Sequence, residues 1–133
     1  MRALALSGAV IAVLAATVTI ASGATMHPEL GAKLSGMGEH GVVNVQVKAK
    51  QGKLCWTFDL PTTKATASSI HVGSKGVVLV KLGTSYTRKG CVKAPAMTIE
   101  HLSTTPGKYW VWVDTKGHQG ELRGKLFAGM AHM

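Results

Sequence analysis

The sequence predicts an all-β fold: a Greek-key β-sandwich, immunoglobulin-like or superoxide-dismutase-like, with one short helical turn. Three observations carry this. "VVNVQVKAK" and "LCWTFDL" alternate apolar and polar residues with period two. Short stretches rich in Val, Ile, Thr and aromatics recur between Gly, Pro and Ser clusters. Only "APAMTIEHL" has helical spacing.

The elements follow in order. Residues 25–41 read as an N-terminal arm or first strand ending in the turn "GMGEHG". Over 42–50, Val43, Val45, Val47 and Ala49 face one way, and Asn44, Gln46, Lys48 and Lys50 the other. "QGK" turns the chain into a strand with Leu54, Trp56, Phe58 and Leu60 on one face. Pro61 to Lys64 interrupts, and "TASSIHV", the turn "GSKG" and "VVLVKL" follow. "GTSYTRKG" leads to "CV". Met97, Ile99 and Leu102 then mark one or two helical turns, which Pro106-Gly107 ends. A hairpin over 108–127 completes the domain, and 128–133 is a C-terminal tail.

Residues 1–24 have the pattern of a secretory signal peptide: Met1-Arg2, an uncharged apolar run to Ile20, and the small residues "ASGA". The rival reading is a retained membrane anchor, and the small residues favour cleavage. Removal leaves about 110 residues, enough for one domain with a core, located outside the cell or in its envelope. No membrane span is then expected. The formal charge is +9, or +8 without Arg2 (15 − 1 basic against 6 acidic). The basic residues are spread out, with no basic helix or RNA-binding motif, so no nucleic-acid partner is expected. They suit a solvated surface or an anionic cell-surface polymer. The two cysteines, Cys55 and Cys91, are expected to form a disulfide outside the cytosol, with buried thiols as the alternative. Two cysteines alone are too few for a zinc site.

In the hairpin, Tyr109, Val111 and Val113 share one face, and Trp110, Trp112 and Asp114 the other. On the returning strand Leu122 and Leu126 oppose Glu121, Arg123 and Lys125. Matching polar to polar sets the tryptophans outside, beside Arg123 and Lys125, under cationic stems. An outer aromatic face suits a glycan or a protein partner, so Trp110, Trp112 and Arg123 are candidate ligand-binding residues. The alternative is that a loop or the arm covers them. Arg123 is expected to form a salt bridge with Glu121 or Asp114.

"GKLCWTFDL", "ATASSIHVGSKGVVLVKLG", "GCV" and "PGKYWVWVDTKGHQGELRGKL" occur in that order. Together they resemble a CHRD domain, the module named for chordin and found widely in secreted bacterial proteins. The resemblance spans about residues 42–127. "GELRGKL" is its most specific part, and the "IH-x-G" element comes next. It implies the Greek-key sandwich and supports the Cys55–Cys91 bridge, because "LCW" and "GCV" recur in bacterial members. The family often has polar Asn where Trp112 stands, which agrees with an outer face. It often has Ala-His-Ile-His where Ser68-Ser69-Ile70-His71 stands, and Val-His-Thr where Val113-Asp114-Thr115 stands. A metal site built from those histidines would keep only His71, with Asp114 as an oxygen ligand.

Catalytic patterns are sparse. There is no nucleophile elbow or oxyanion-hole motif, and Asp59 and Glu100 form no recognisable carboxylate pair. A copper–zinc dismutase centre needs more histidines than His71, with His101 and His118 in the flanking helix and turn. A second metal reading comes from the termini, where Met26-His27, Met37 to His40, and Met130 to Met133 pair thioether with imidazole. Cleavage after Ala24 would expose Thr25-Met26-His27. Its amine, two backbone amides and imidazole suit square-planar Cu(II) or Ni(II), and His132 with Met130 and Met133 would add softer ligands. The expected function is a non-enzymatic binding or structural module without a cofactor. The alternatives are a copper- or zinc-binding protein, or a dismutase-like enzyme, which the histidine pattern argues against.

Overall fold

The computed structural model describes residues 25–61 and 64–133. The signal-peptide reading of 1–24 lies outside them. The strands are β1 (Glu29–Gly36), β2 (Glu39–Lys48), β3 (Lys53–Asp59), β4 (Ala65–Val72), β5 (Val77–Lys81), β6 (Lys89–Lys93), β7 (Tyr109–Thr115) and β8 (His118–Ala128), with helix α1 (Ala96–Thr104) between β6 and β7. All strand pairs are antiparallel, in the order β5-β4-β7-β8-β1-β2-β3-β6. Hairpins alone cannot make this order. The chain crosses the sheet from β3 to β4, returns from edge strand β5 to the opposite edge strand β6, and crosses again from β6 to β7 through α1. The single sheet curls on itself, which gives the expected all-β, sandwich-like fold.

The core lies inside the curl. Val43, Val45, Leu54, Phe58, Val111, Val113, Leu122 and Leu126 are fully buried, at the positions the alternation assigns inward. The arm is a true strand, and β2 begins at Glu39, earlier than the alternation alone suggests. Ala49 is not on the inner face of β2, because the chain has already entered a 3-10 turn over Ala49–Gln51. The helix runs nine residues and buries Ile99 and Leu102. Met97 departs from its expected core position and is 69% exposed. It precedes Ile99 by two residues, about 200° around a helix, so the two cannot share a face.

Cys55 and Cys91 are bonded, directly opposite one another in the β3–β6 ladder with Cα atoms 4.0 Å apart. Among the described residues, no helix is long and apolar enough to cross a membrane.

Candidate functional site

The outer face of β7 lines a concavity of the surface. Trp110, Trp112 and Asp114 are half-buried there, while Tyr109, Val111 and Val113 face the core. Strands β4 and β8 flank β7 on either side, with Ser69 and Arg123 both in register with Trp112. The His71 imidazole stacks on the Trp112 indole, centroids 3.9 Å apart and planes 12° from parallel. The Arg123 guanidinium carbon lies 3.8 Å from the indole centroid. Each comes from a different neighbouring strand, so the indole is held between imidazole and guanidinium.

Local sequence explains this packing. Gly120 has φ +60°, and a Cβ there would lie 2.7 Å from the indole and 2.8 Å from Arg123 Nε. Only glycine leaves the aromatic and cationic side chains room over β8. Arg123 donates through Nε to the Gly120 carbonyl at 2.9 Å and through Nη1 to the Ser74 carbonyl at 3.1 Å. The expected salt bridge is not its partnership. Asp114 accepts the Gly120 N–H at 2.6 Å, and Glu121 accepts the Thr115 hydroxyl at 2.6 Å. With both carboxylates engaged, the flat guanidinium settles on the indole and two carbonyls.

A cavity of about 490 Å³ opens beside this stack, lined among others by Ser68, Ser69, His71, Lys75, Lys81 and Trp112. Ser69 Oγ and His71 Nε2 are hydrogen-bonded at 2.7 Å. Two buried polar atoms on this outer face have no hydrogen-bond partner, His71 Nδ1 and Trp112 Nε1; Ser68 Oγ is also unpartnered, but Ser68 pairs with Val113 and lies on the inner face of β4. Buried polar atoms are rarely left so, and a pair of them beside one cavity marks a place where a ligand or water supplies the partners. The Ser69–His71 contact resembles half of an acyl-transfer dyad, yet no carboxylate bonds to Nδ1 to orient the ring.

Burial pushes the His71 imidazole below its ordinary value of 6.5; Asp114 and the Gly76 backbone oppose the shift, and Arg123 reinforces it. Unfolding restores the ordinary value. Between the folded-state value and about 6.5 the unfolded chain therefore binds more protons. The stability that neutral His71 contributes is complete above pH 6.5 and is lost as pH falls through the folded-state value. Urea midpoints at pH 7.5 and pH 5 will show a larger drop for the wild type than for His71→Asn. Equal drops in both would count against this environment for His71.

The sequence-predicted residues divide between separate places. His71, Asp114, Trp112 and Arg123 come together, and Trp110 lies next along β7, paired with Lys125. Met26 and His27 are elsewhere, where the His27 amide donates to the Ser103 carbonyl at 2.8 Å. An amino-terminal copper chelate needs that amide nitrogen deprotonated, so it would form at the expense of this bond. His132 lies in a different groove, with His40. His118 opens β8 and His101 is on α1, both exposed. Among the described residues, no three His, Cys, Asp or Glu side chains gather as a metal would require. The sequence alone does not single out Lys75 and Lys81, because nothing local says that β4, with β5 on its other edge, folds beside β7. The paired glycines of "GSKG" and "GELRG" were the available signal.

Compared with protein-family models, with curated proteins and with solved structures, the chain matches none.

Proposed function

We propose that this is a secreted, non-enzymatic binding module of the CHRD type, and that the groove beside Trp112 takes a hydroxyl-rich, anionic ligand such as a segment of cell-surface polysaccharide. The observation that carries the reading is the pair of unpartnered buried polar atoms, His71 Nδ1 and Trp112 Nε1, beside one cavity. Nδ1 can donate or accept and the indole N–H donates, a pattern that hydroxyl groups satisfy. The cavity volume falls in the range of small-ligand sites. Lys75 and Lys81, both exposed, line it and favour negative charge. The "IH-x-G" and "GELRGKL" elements that carry the family resemblance meet here, through His71 and Arg123 on the two faces of Trp112. Because both faces of that indole are covered, the ligand is held by the polar edge and not by stacking. Secretion is supported by the disulfide, which suits an oxidising compartment.

Calorimetric titration with a heparin-derived tetrasaccharide, and with neutral maltotetraose as control, tests this. The sulfated sugar is expected to bind more tightly. His71→Ala is expected to weaken binding at least tenfold, and Lys75→Ala with Lys81→Ala to flatten its salt dependence. Unchanged affinity in these variants would refute the groove. Hydrolysis of an activated ester that disappears in Ser69→Ala would refute the non-enzymatic reading.

A further inference from the structure

Residues 129–133 do not trail into solvent. The Gly129 amide donates to the Glu29 carbonyl at 2.8 Å. Asn44 then grips Ala131 on both sides: the Ala131 amide donates to Oδ1 at 2.6 Å, and Nδ2 donates to the Ala131 carbonyl at 3.2 Å. Ala131 is 4% exposed. The approach is possible because Gly31 lies beneath, where a Cβ would come within 2.5 Å of the Ala131 nitrogen.

This clamp sets direction as well as position. Gly31 pairs with Asn44, Lys33 with Val42, and Ser35 with His40 in the β1–β2 ladder. Those residues form one row on the outer face. The tail crosses the row at Gly31 and Asn44, and its last two residues reach the other end. His132 and Met133 line a groove of about 300 Å³ together with His40, Lys33 and Val42. Two imidazoles and a thioether, far apart in sequence, are thus gathered by the side-chain amide of Asn44.

We propose that His40, His132 and Met133 form a binding site for a soft monovalent metal ion, Cu(I) in particular. The ligand set decides the ion. Zinc prefers four ligands drawn from Cys, His and carboxylate, and no such cluster of three or more exists among the described residues. A thioether with two imidazoles instead suits Cu(I), which accepts soft ligands and low coordination numbers. Lys33 in the same groove repels a doubly charged ion twice as strongly as a singly charged one. The site is separate from the groove beside Trp112 and from Met26 and His27.

Competition with bicinchoninate under ascorbate, which leaves the disulfide intact, measures Cu(I) affinity of the purified protein. One equivalent is expected to bind. His40→Ala, His132→Ala and Met133→Ala should each weaken it tenfold or more, and His27→Ala should leave it unchanged. The ligand residues His40, His132 and Met133 are exposed, so loss of fold does not complicate these variants. Asn44→Ala, which removes the clamp and no ligand, should also weaken binding, although less. Retained affinity in His132→Ala, dependence on His27, or Zn(II) binding as tight as Cu(I) would each overturn the assignment.

Discussion

Replacing Cys55 and Cys91 together by alanine is expected to lower stability by about 4 kcal/mol, the chain-entropy value for so long a loop. The bridge closes a separation of 36 residues. At the midpoint this corresponds to a fall in Tm on the order of 15 °C for a domain of this size. Cys91 is exposed and Cys55 only half-buried, so the loss comes from the cross-link and not from packing. The closed loop contains β4, β5 and the lysines of the Trp112 groove. Among the described residues, edge strand β6 has β3 as its only ladder neighbour, so the bridge also anchors the strand that precedes α1. Urea titration of the variant and wild type checks this. The denaturant slope should rise, because the unfolded chain without its cross-link is more expanded. A loss smaller than about 1 kcal/mol, against the loop-closure expectation, would mean that the bridge strains the native ladder as much as it restrains the unfolded chain.

Phe58→Ala is expected to cost about 3–5 kcal/mol. Phe58 is fully buried and the largest of the fully buried side chains. Its ring sits 5.3 Å from that of Tyr86, tilted by 50°, so the substitution removes an aromatic pair as well as a volume. Tyr86 comes from the segment between β5 and β6, and its amide donates to the Thr66 carbonyl on β4 at 2.9 Å. The ring therefore helps hold the two ends of the curled sheet together. Thermal unfolding of the variant measures the loss. A change below about 1.5 kcal/mol, well short of the usual cavity cost, would show that neighbouring side chains collapse into the space.

Much of this was legible in the sequence wherever one strand face meets water. The alternation in β2, β3, β7 and β8 assigns inner and outer residues because the sheet is wet outside and dry inside. The outer placement of Trp110 and Trp112, and the company of Arg123, follow from that rule alone. What resisted reading depends on contacts between elements distant in sequence. Arg123 was expected to meet a carboxylate, but Asp114 and Glu121 satisfy a backbone amide and a hydroxyl in the hairpin's own turn. The groove needs β4 placed beside β7, a pairing set by the long crossing connections. The tail reads as a loose end, because its anchors, the Asn44 side-chain amide 87 positions away and the Glu29 carbonyl, lie at the other end of the chain.

The arrangement around Trp112 also gives the molecule an optical property. An excited indole loses its emission to a protonated imidazole in van der Waals contact, and does so far less to a neutral one. The His71 ring is stacked on Trp112 at that range. Trp56, 4% exposed and with its Nε1 donating to the Thr87 carbonyl at 3.0 Å, is insulated from solvent. Emission from Trp112 therefore follows the charge state of His71, and an anionic occupant that accepts a hydrogen bond from Nδ1 favours the protonated form. The groove carries its own fluorophore, so its filling can be followed by eye of a spectrometer without a label.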